Sequence, residues 1–124
     1  MDLKEKVESI GAVDVMACVQ CGLCSGSCPV RFTMDISPTQ VIRLIQLEVI
    51  EEIFSSNTFL TCSTCFSCQI ICPRKISVTK IMEALRQIIL RKGQDLINVG
   101  GIPGEELRKL PPIALVSNFR KTTA

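Results

Sequence analysis

The sequence predicts an all-α protein with an extended C-terminal tail, and three observations carry that prediction. Apolar residues recur at helical spacing through 41–53 and again through 78–89. Asp or Ser stands ahead of three predicted helices, at Asp2, Ser37 and Ser77, and Pro38 occupies the first turn of one. The 33 residues between Cys28 and Cys62 hold a helical ladder where a small strand-built fold would need β-branched alternation.

Taken in order, Asp2 caps a short helix through Ile10, and Gly11 is its expected stop. Ser37 and Pro38 open a helix whose ladder of Val41, Ile42, Ile45, Val49 and Ile53 runs to Phe54. Ser77 opens the next, with Val78, Ile81, Met82, Leu85, Ile88 and Ile89 in one stripe, and Gly93 after Arg91 and Lys92 marks its end. Residues 100–104 read as a loop, and 105–110 as one or two helical turns. Pro111 and Pro112 then predict extended chain through Ile113, Ala114, Leu115 and Val116.

The 124 residues, 13.6 kDa in mass, suit one domain, 1–124, with a core over 15–93 and a loop and tail over 94–124. Hydrophobic residues make up 47% and mean hydropathy is +0.35, values that fit a packed core and not a disordered chain. Histidine is absent, which excludes His-ligated metal sites and the Ser-His-Asp and Cys-His forms of nucleophilic catalysis. The charged start, Met1 to Lys6, leads into no apolar run, so no secretory signal is expected. The charge-free run between Glu52 and Arg74 is broken throughout by polar residues and makes a poor transmembrane span. A cytoplasmic, reducing location is the expectation, and there clustered cysteines bind metal more often than they form disulfides.

The net charge of +2 is too small to argue for nucleic acid. It is unevenly spread: residues 1–30 and 31–52 carry −2 each, whereas 74–92 carry +5. The basic helix 78–92 reads either as a solvated face or as a docking surface for an acidic partner.

All eight cysteines fall into an internal repeat. The first copy holds Cys18, Cys21, Cys24 and Cys28, followed by Pro29; the second holds Cys62, Cys65, Cys68 and Cys72, followed by Pro73. Both read C-x2-C-x2-C-x3-C-P, the bacterial two-cluster iron–sulfur pattern, in which the fourth cysteine ligates the other cluster. Two [4Fe–4S] clusters are therefore expected, one on Cys18, Cys21, Cys24 and Cys72 and the other on Cys62, Cys65, Cys68 and Cys28. No charged residue occurs from Val15 to Val30 or from Ile53 to Pro73, so carboxylates are kept away from negatively charged clusters. Arg31, Arg74 and Lys75 follow each Cys-Pro closely, where they either soften that charge or are simply solvated. The other uses of these cysteines are two four-thiolate zinc sites, a disulfide framework or redox-active thiols. Zinc would want paired knuckles without the third cysteine and the Cys-Pro ending.

The repeat, the helix between its copies, the run from Ile76 through Arg86 and the tail Leu110 to Arg120 together resemble the C subunit of heterodisulfide reductase. The resemblance covers the chain from about residue 15 onward. The cysteine motifs alone are shared with the iron–sulfur subunits of succinate dehydrogenase and anaerobic glycerol-3-phosphate dehydrogenase. The resemblance implies an α-helical ferredoxin-like dicluster domain that relays electrons from a flavin-containing A subunit to a catalytic, cysteine-rich B subunit. The latter reduces a disulfide, in methanogens the coenzyme M–coenzyme B heterodisulfide. With the cysteines assigned, no acid, base or nucleophile stands out, and a non-catalytic electron-transfer subunit is expected. Relay in a related respiratory or sulfur-oxidising complex is the alternative, and a zinc-stabilised interaction module is an alternative of another class. The tail is expected to lie across a partner protein of the complex.

Overall fold

The computed structural model describes residues 2–92 and 97–120. Its described residues form nine α-helices, three 3-10 turns and no strand, which bears out the all-α expectation. The chain divides into two compact units, 1–86 and 87–124.

The first unit opens with α1 (Leu3–Gly11), entered from Asp2, which buries Leu3 and Val7. Gly11 does not end α1 by taking a left-handed conformation; Ala12 does that, at φ 48°. Gly11 is instead buried where a Cβ would stand 3.2 Å from Val13 and 3.4 Å from the Lys80 carbonyl. The glycine permits a close approach of backbones. After a 3-10 turn at Val15–Ala17 come α2 (Leu23–Gly26) and a second 3-10 turn at Arg31–Thr33.

Ser37 opens α3 (Pro38–Gln46) with a complete capping box, its hydroxyl accepting from the Gln40 amide while the Gln40 side chain accepts from the Ser37 amide. The expected single ladder to Phe54 is two helices, α3 and α4 (Ile50–Ser55). The break is a Schellman turn: Val49 N–H donates to Leu44 and Glu48 N–H to Ile45, with Glu48 at φ 58°. No glycine announced it, because a glutamate has accepted the left-handed position. Val41, Ile42, Ile45 and Ile53 are buried as expected, and Val49 sits half-buried at the joint.

Next come α5 (Thr58–Thr61), α6 (Ser67–Ile71) and α7 (Val78–Arg91). The α7 stripe buries Val78, Ile81, Met82, Ala84 and Leu85 against the interior of the first unit, and Ile88 further along is buried as well. The expected stop at Gly93 lies outside the described residues. The helices α2 and α6, one from each cysteine motif, pack on each other, and α3 packs on α1, α2 and α4.

In the second unit, α8 (Gly104–Lys109) supplies the expected short helix, with Glu105 and Glu106 in its first turn and Arg108 and Lys109 in its last, as the helix dipole favours. The expectation of an extended tail is overturned: Pro112 begins α9 (Pro112–Arg120). Proline at the first helical position lacks only an N–H that has no intrahelical partner anyway, and its fixed φ suits the turn. Ala114 N–H closes that turn on the Pro111 carbonyl at 2.9 Å. No helix among the described residues is long and apolar enough to cross a membrane.

Candidate metal centres

Each cysteine motif is wound the same way. Cys18 leaves a 3-10 turn, Gln20 and Gly22 take left-handed conformations at φ 58° and 81°, and α2 carries Cys24. In the second copy Cys62 leaves α5, Thr64 and Phe66 stand at φ 54° and 61°, and α6 carries Cys68. The same two left-handed positions, two residues apart, bend each loop between its first and third cysteines. Amides reach sulfur directly where Gln20 N–H donates to Cys18 Sγ at 3.5 Å and Ile76 N–H to Cys72 Sγ at 3.4 Å.

Packing of α2 on α6 brings the two motifs together around two cavities. The first, of about 360 Å³ including its open mouth, is lined by Cys18, Cys21, Cys24 and Cys72. The second, about 350 Å³, is lined by Cys28, Cys62, Cys65 and Cys68. Ile42 and Thr39 from α3 wall the first; Met82 and Thr79 from α7 wall the second; Val78 borders both. No disulfide joins any of the eight cysteines.

The electrostatics divide the same way. Burial pushes the Cys18 thiol above its ordinary range, partly offset by the Gln20 amide, and Cys24, Cys72 and Cys21 push it up further. Burial likewise raises Cys28, against the Val30 amide, and there the crowding comes from Cys62, Cys65 and Cys68. Exposed Cys65 is lowered by its hydrogen bonds to Ser67. Four cysteine sulfurs around one space are the donor set that an iron–sulfur cluster takes, so the residues present fit a group built on iron. Among the described residues no three Cys, Asp or Glu side chains converge closely enough for a single metal ion; the thiols stand around a space.

Of the cations singled out in the sequence, Arg74 walls the first cavity and donates from Nε to the Ala17 carbonyl at 3.2 Å. Arg31 is turned to the Met34 carbonyl at 3.3 Å. Sequence reasoning missed the polar side chains that hold the motifs. Gln46, at the end of α3, donates to the carbonyls of Val15 at 3.0 Å and Cys18 at 3.4 Å. Arg86, in α7, donates to the carbonyls of Phe59 at 2.6 Å, Leu60 at 3.2 Å and Cys62. Thr39 and Thr79 bring hydroxyls to the sulfurs of Cys24 and Cys68. The signal that could have found these threonines was a shared Ser-x-Thr at the head of both helices, Ser37 to Thr39 and Ser77 to Thr79.

A helical chain that folds two cysteine repeats around two four-thiol cavities defines a class, the proteins that house a pair of iron–sulfur clusters. Residues 14–76 match the family described as 4Fe-4S dicluster domain, and the chain belongs to that family. Its cofactors are two [4Fe–4S] clusters. It is 34% identical over 92 residues to the C subunit of the H(2):CoB-CoM heterodisulfide,ferredoxin reductase of Methanothermobacter marburgensis, covering 74% of this chain and 50% of that protein. It is 32% identical over 96 residues to the iron-sulfur C subunit of the CoB–CoM heterodisulfide reductase of Methanopyrus kandleri, with the same shares. Identity is 29% over 124 residues, 95% of this chain and 50% of the relative, to the C subunit of the ferredoxin:CoB-CoM heterodisulfide reductase of Methanosarcina acetivorans. The chain spans about half the length of these curated relatives.

Proposed function

We propose that this chain is a non-catalytic electron-relay subunit of a heterodisulfide reductase-type complex, binding its clusters by crossed ligation. Cys18, Cys21, Cys24 and Cys72 hold one cluster, and Cys62, Cys65, Cys68 and Cys28 hold the other. The observation that supports this is the mixed lining of the cavities, each with three cysteines of one motif and the fourth of the other. The third cysteine and the Cys-Pro ending of each motif favour clusters over single zinc ions, which need neither.

When bound, the clusters supply one-electron acceptance and release. The chain's own residues do the rest. The crossed cysteines tie segments far apart in sequence, closing long loops as a cross-link would. Val30, Met34, Ile42 and Met82 keep water from the cavity walls, and the amides of Gln20 and Ile76 steady two of the sulfurs. Electrons come from a flavin-containing partner, the A subunit of such a complex, and leave to a cysteine-rich catalytic partner, its B subunit, which reduces the CoB–CoM heterodisulfide or a related disulfide. The names of the relatives support that substrate. Such a complex works in the cytoplasm. The C-terminal helix α9 (Pro112–Arg120), bearing exposed Ile113 and Val116, adds partner contact area to a small protein.

Anaerobically reconstituted protein carries about eight iron and eight acid-labile sulfide per chain on this reading, and dithionite bleaches its visible absorption. A content of about half, or colourless protein loaded with zinc, overturns it. Native mass spectrometry of the assembled complex tests the partners: finding neither a flavoprotein nor a cysteine-rich protein overturns that part.

A further inference from the structure

The two cavities differ in how a hydroxyl meets the third cysteine of each motif. In the first, Thr39 Oγ1 lies 3.2 Å from Cys24 Sγ and 2.7 Å from Ser25 Oγ, and the Thr39 backbone N–H donates to Ser25 Oγ at 3.1 Å. Ser25 oxygen therefore accepts the amide and has its own hydrogen left for Thr39 Oγ1. A metal-bound thiolate can only accept, so the Thr39 hydroxyl donates to Cys24. Every hydrogen in this small ring has one place to go. Cys24 is also the buried cysteine, 8% exposed, so water competes little for its sulfur.

In the second cavity Thr79 Oγ1 stands 3.6 Å from Cys68 Sγ, a loose contact even for sulfur. Gln69 occupies the position of Ser25, and its side-chain carbonyl accepts from Ser77 Oγ at 2.8 Å. It offers Thr79 no hydroxyl to set its direction.

A hydrogen bond to a ligand sulfur draws electron density from the cluster and favours its more negative, reduced state. We infer that Thr39, oriented by Ser25, is a positioning residue that acts through Cys24 to raise the reduction potential of the cluster on Cys18, Cys21, Cys24 and Cys72, and that Thr79 does the same more weakly through Cys68. The inference rests on the ligand sets proposed for the two clusters. No covalent bond changes: one electron enters on reduction, and the hydroxyl proton stays on threonine.

The test is an EPR-monitored redox titration of the full chain, reconstituted anaerobically and reduced with dithionite through mediators. Cys21→Ala, which removes a ligand of the first cluster, identifies which midpoint belongs to it. Thr39→Val lowers that midpoint alone, making the cluster about tenfold less reduced at a fixed potential, which for a one-electron couple is about 59 mV. Thr39→Ser restores it, Ser25→Ala moves it the same way by less, and Thr79→Val moves the other midpoint by less. Full iron content with an unmoved first midpoint in Thr39→Val, or equal movement of both midpoints, overturns the inference. If Thr39→Val does not load iron, Ser25→Ala decides, and a loaded Ser25→Ala with unchanged midpoints overturns it. Wild-type protein with about half its iron would instead fail the ligand sets, a result distinct from full loading with unmoved midpoints.

Discussion

The two halves of the first unit perform one task with different chemistry. Shifting α3 by forty positions lays Ser37 on Ser77, Val41 on Ile81, Ile45 on Leu85 and Gln46 on Arg86. The apolar pairs are all buried. The last pair clamps equivalent carbonyls: Val15 and Phe59 each stand three residues before the first cysteine of their motif, and Cys18 and Cys62 are those cysteines. One half uses a neutral amide, the other a guanidinium that reaches one carbonyl more. The geometry is duplicated and the charge is not. The loops diverge too, since Gly22 and Phe66 share a left-handed conformation that costs a non-glycine residue about 1 kcal/mol. The first copy also inserts four residues between its Cys-Pro and its helix cap, where the Arg31–Thr33 turn forms. Two clusters in one fold can thus meet unlike surroundings although their ligand spacing is identical.

The largest effect expected on this comparison comes from breaking the exchange of cysteines between halves. Cys28→Ala should lower iron from about eight to about four per chain. Adding Cys65→Ala should cost no more, because both face the second cavity, whereas adding Cys21→Ala should empty the protein. Iron analysis of the three variants decides it, and a fall to near zero for Cys28 with Cys65 would mean that ligation stays within each motif.

The carbonyl clamps come next. Arg86→Ala leaves three carbonyls without their donor and should cost about 2–3 kcal/mol, and Gln46→Ala about 1 kcal/mol. Arg86→Gln, which gives the second half the residue of the first, should recover part of the loss. The guanidinium chloride midpoint for bleaching of the visible absorption reads all three, and equal midpoints for Arg86→Ala and Gln46→Ala would erase the distinction between the halves.

A smaller effect is expected at the left-handed loop positions. A Cβ at Gly22 meets nothing within 4 Å, so Gly22→Ala should cost only the backbone's φ penalty, about 1 kcal/mol. Phe66→Gly relieves that same strain but frees the unfolded chain, and its net change should stay within about 0.5 kcal/mol of zero. The same bleaching midpoint measures both.

Removal of everything after Leu110 should disturb the two halves least. Iron content and EPR spectra should match the full chain, while affinity for the proposed flavin-containing and catalytic partners falls in a pull-down. Loss of either cluster on truncation would assign 111–120 to the cluster-bearing fold instead.

Whatever depends on neighbours in the chain was legible in residue order. The cysteine spacing marked both motifs, Ser37 and Pro38 marked the start of α3, and the stripe from Val78 to Leu85 marked the buried face of α7, since caps and periodicity act within a few residues. The sequence misjudged two local helix boundaries for the same reason: a Schellman turn at Glu48 and a helix begun at Pro112 are conformations that these residues accept without demanding them. Which side chains serve the sulfurs and the backbone around them is settled by packing between helices. Gln46 reaches back 31 residues to Val15, Arg86 reaches back 27 to Phe59, and Thr39 finds Cys24 15 residues away. Each looks like an ordinary polar helix residue in sequence. Its role exists once α2, α3, α6 and α7 have packed, because a hydrogen bond is set by distance and direction in space, and chain order records neither.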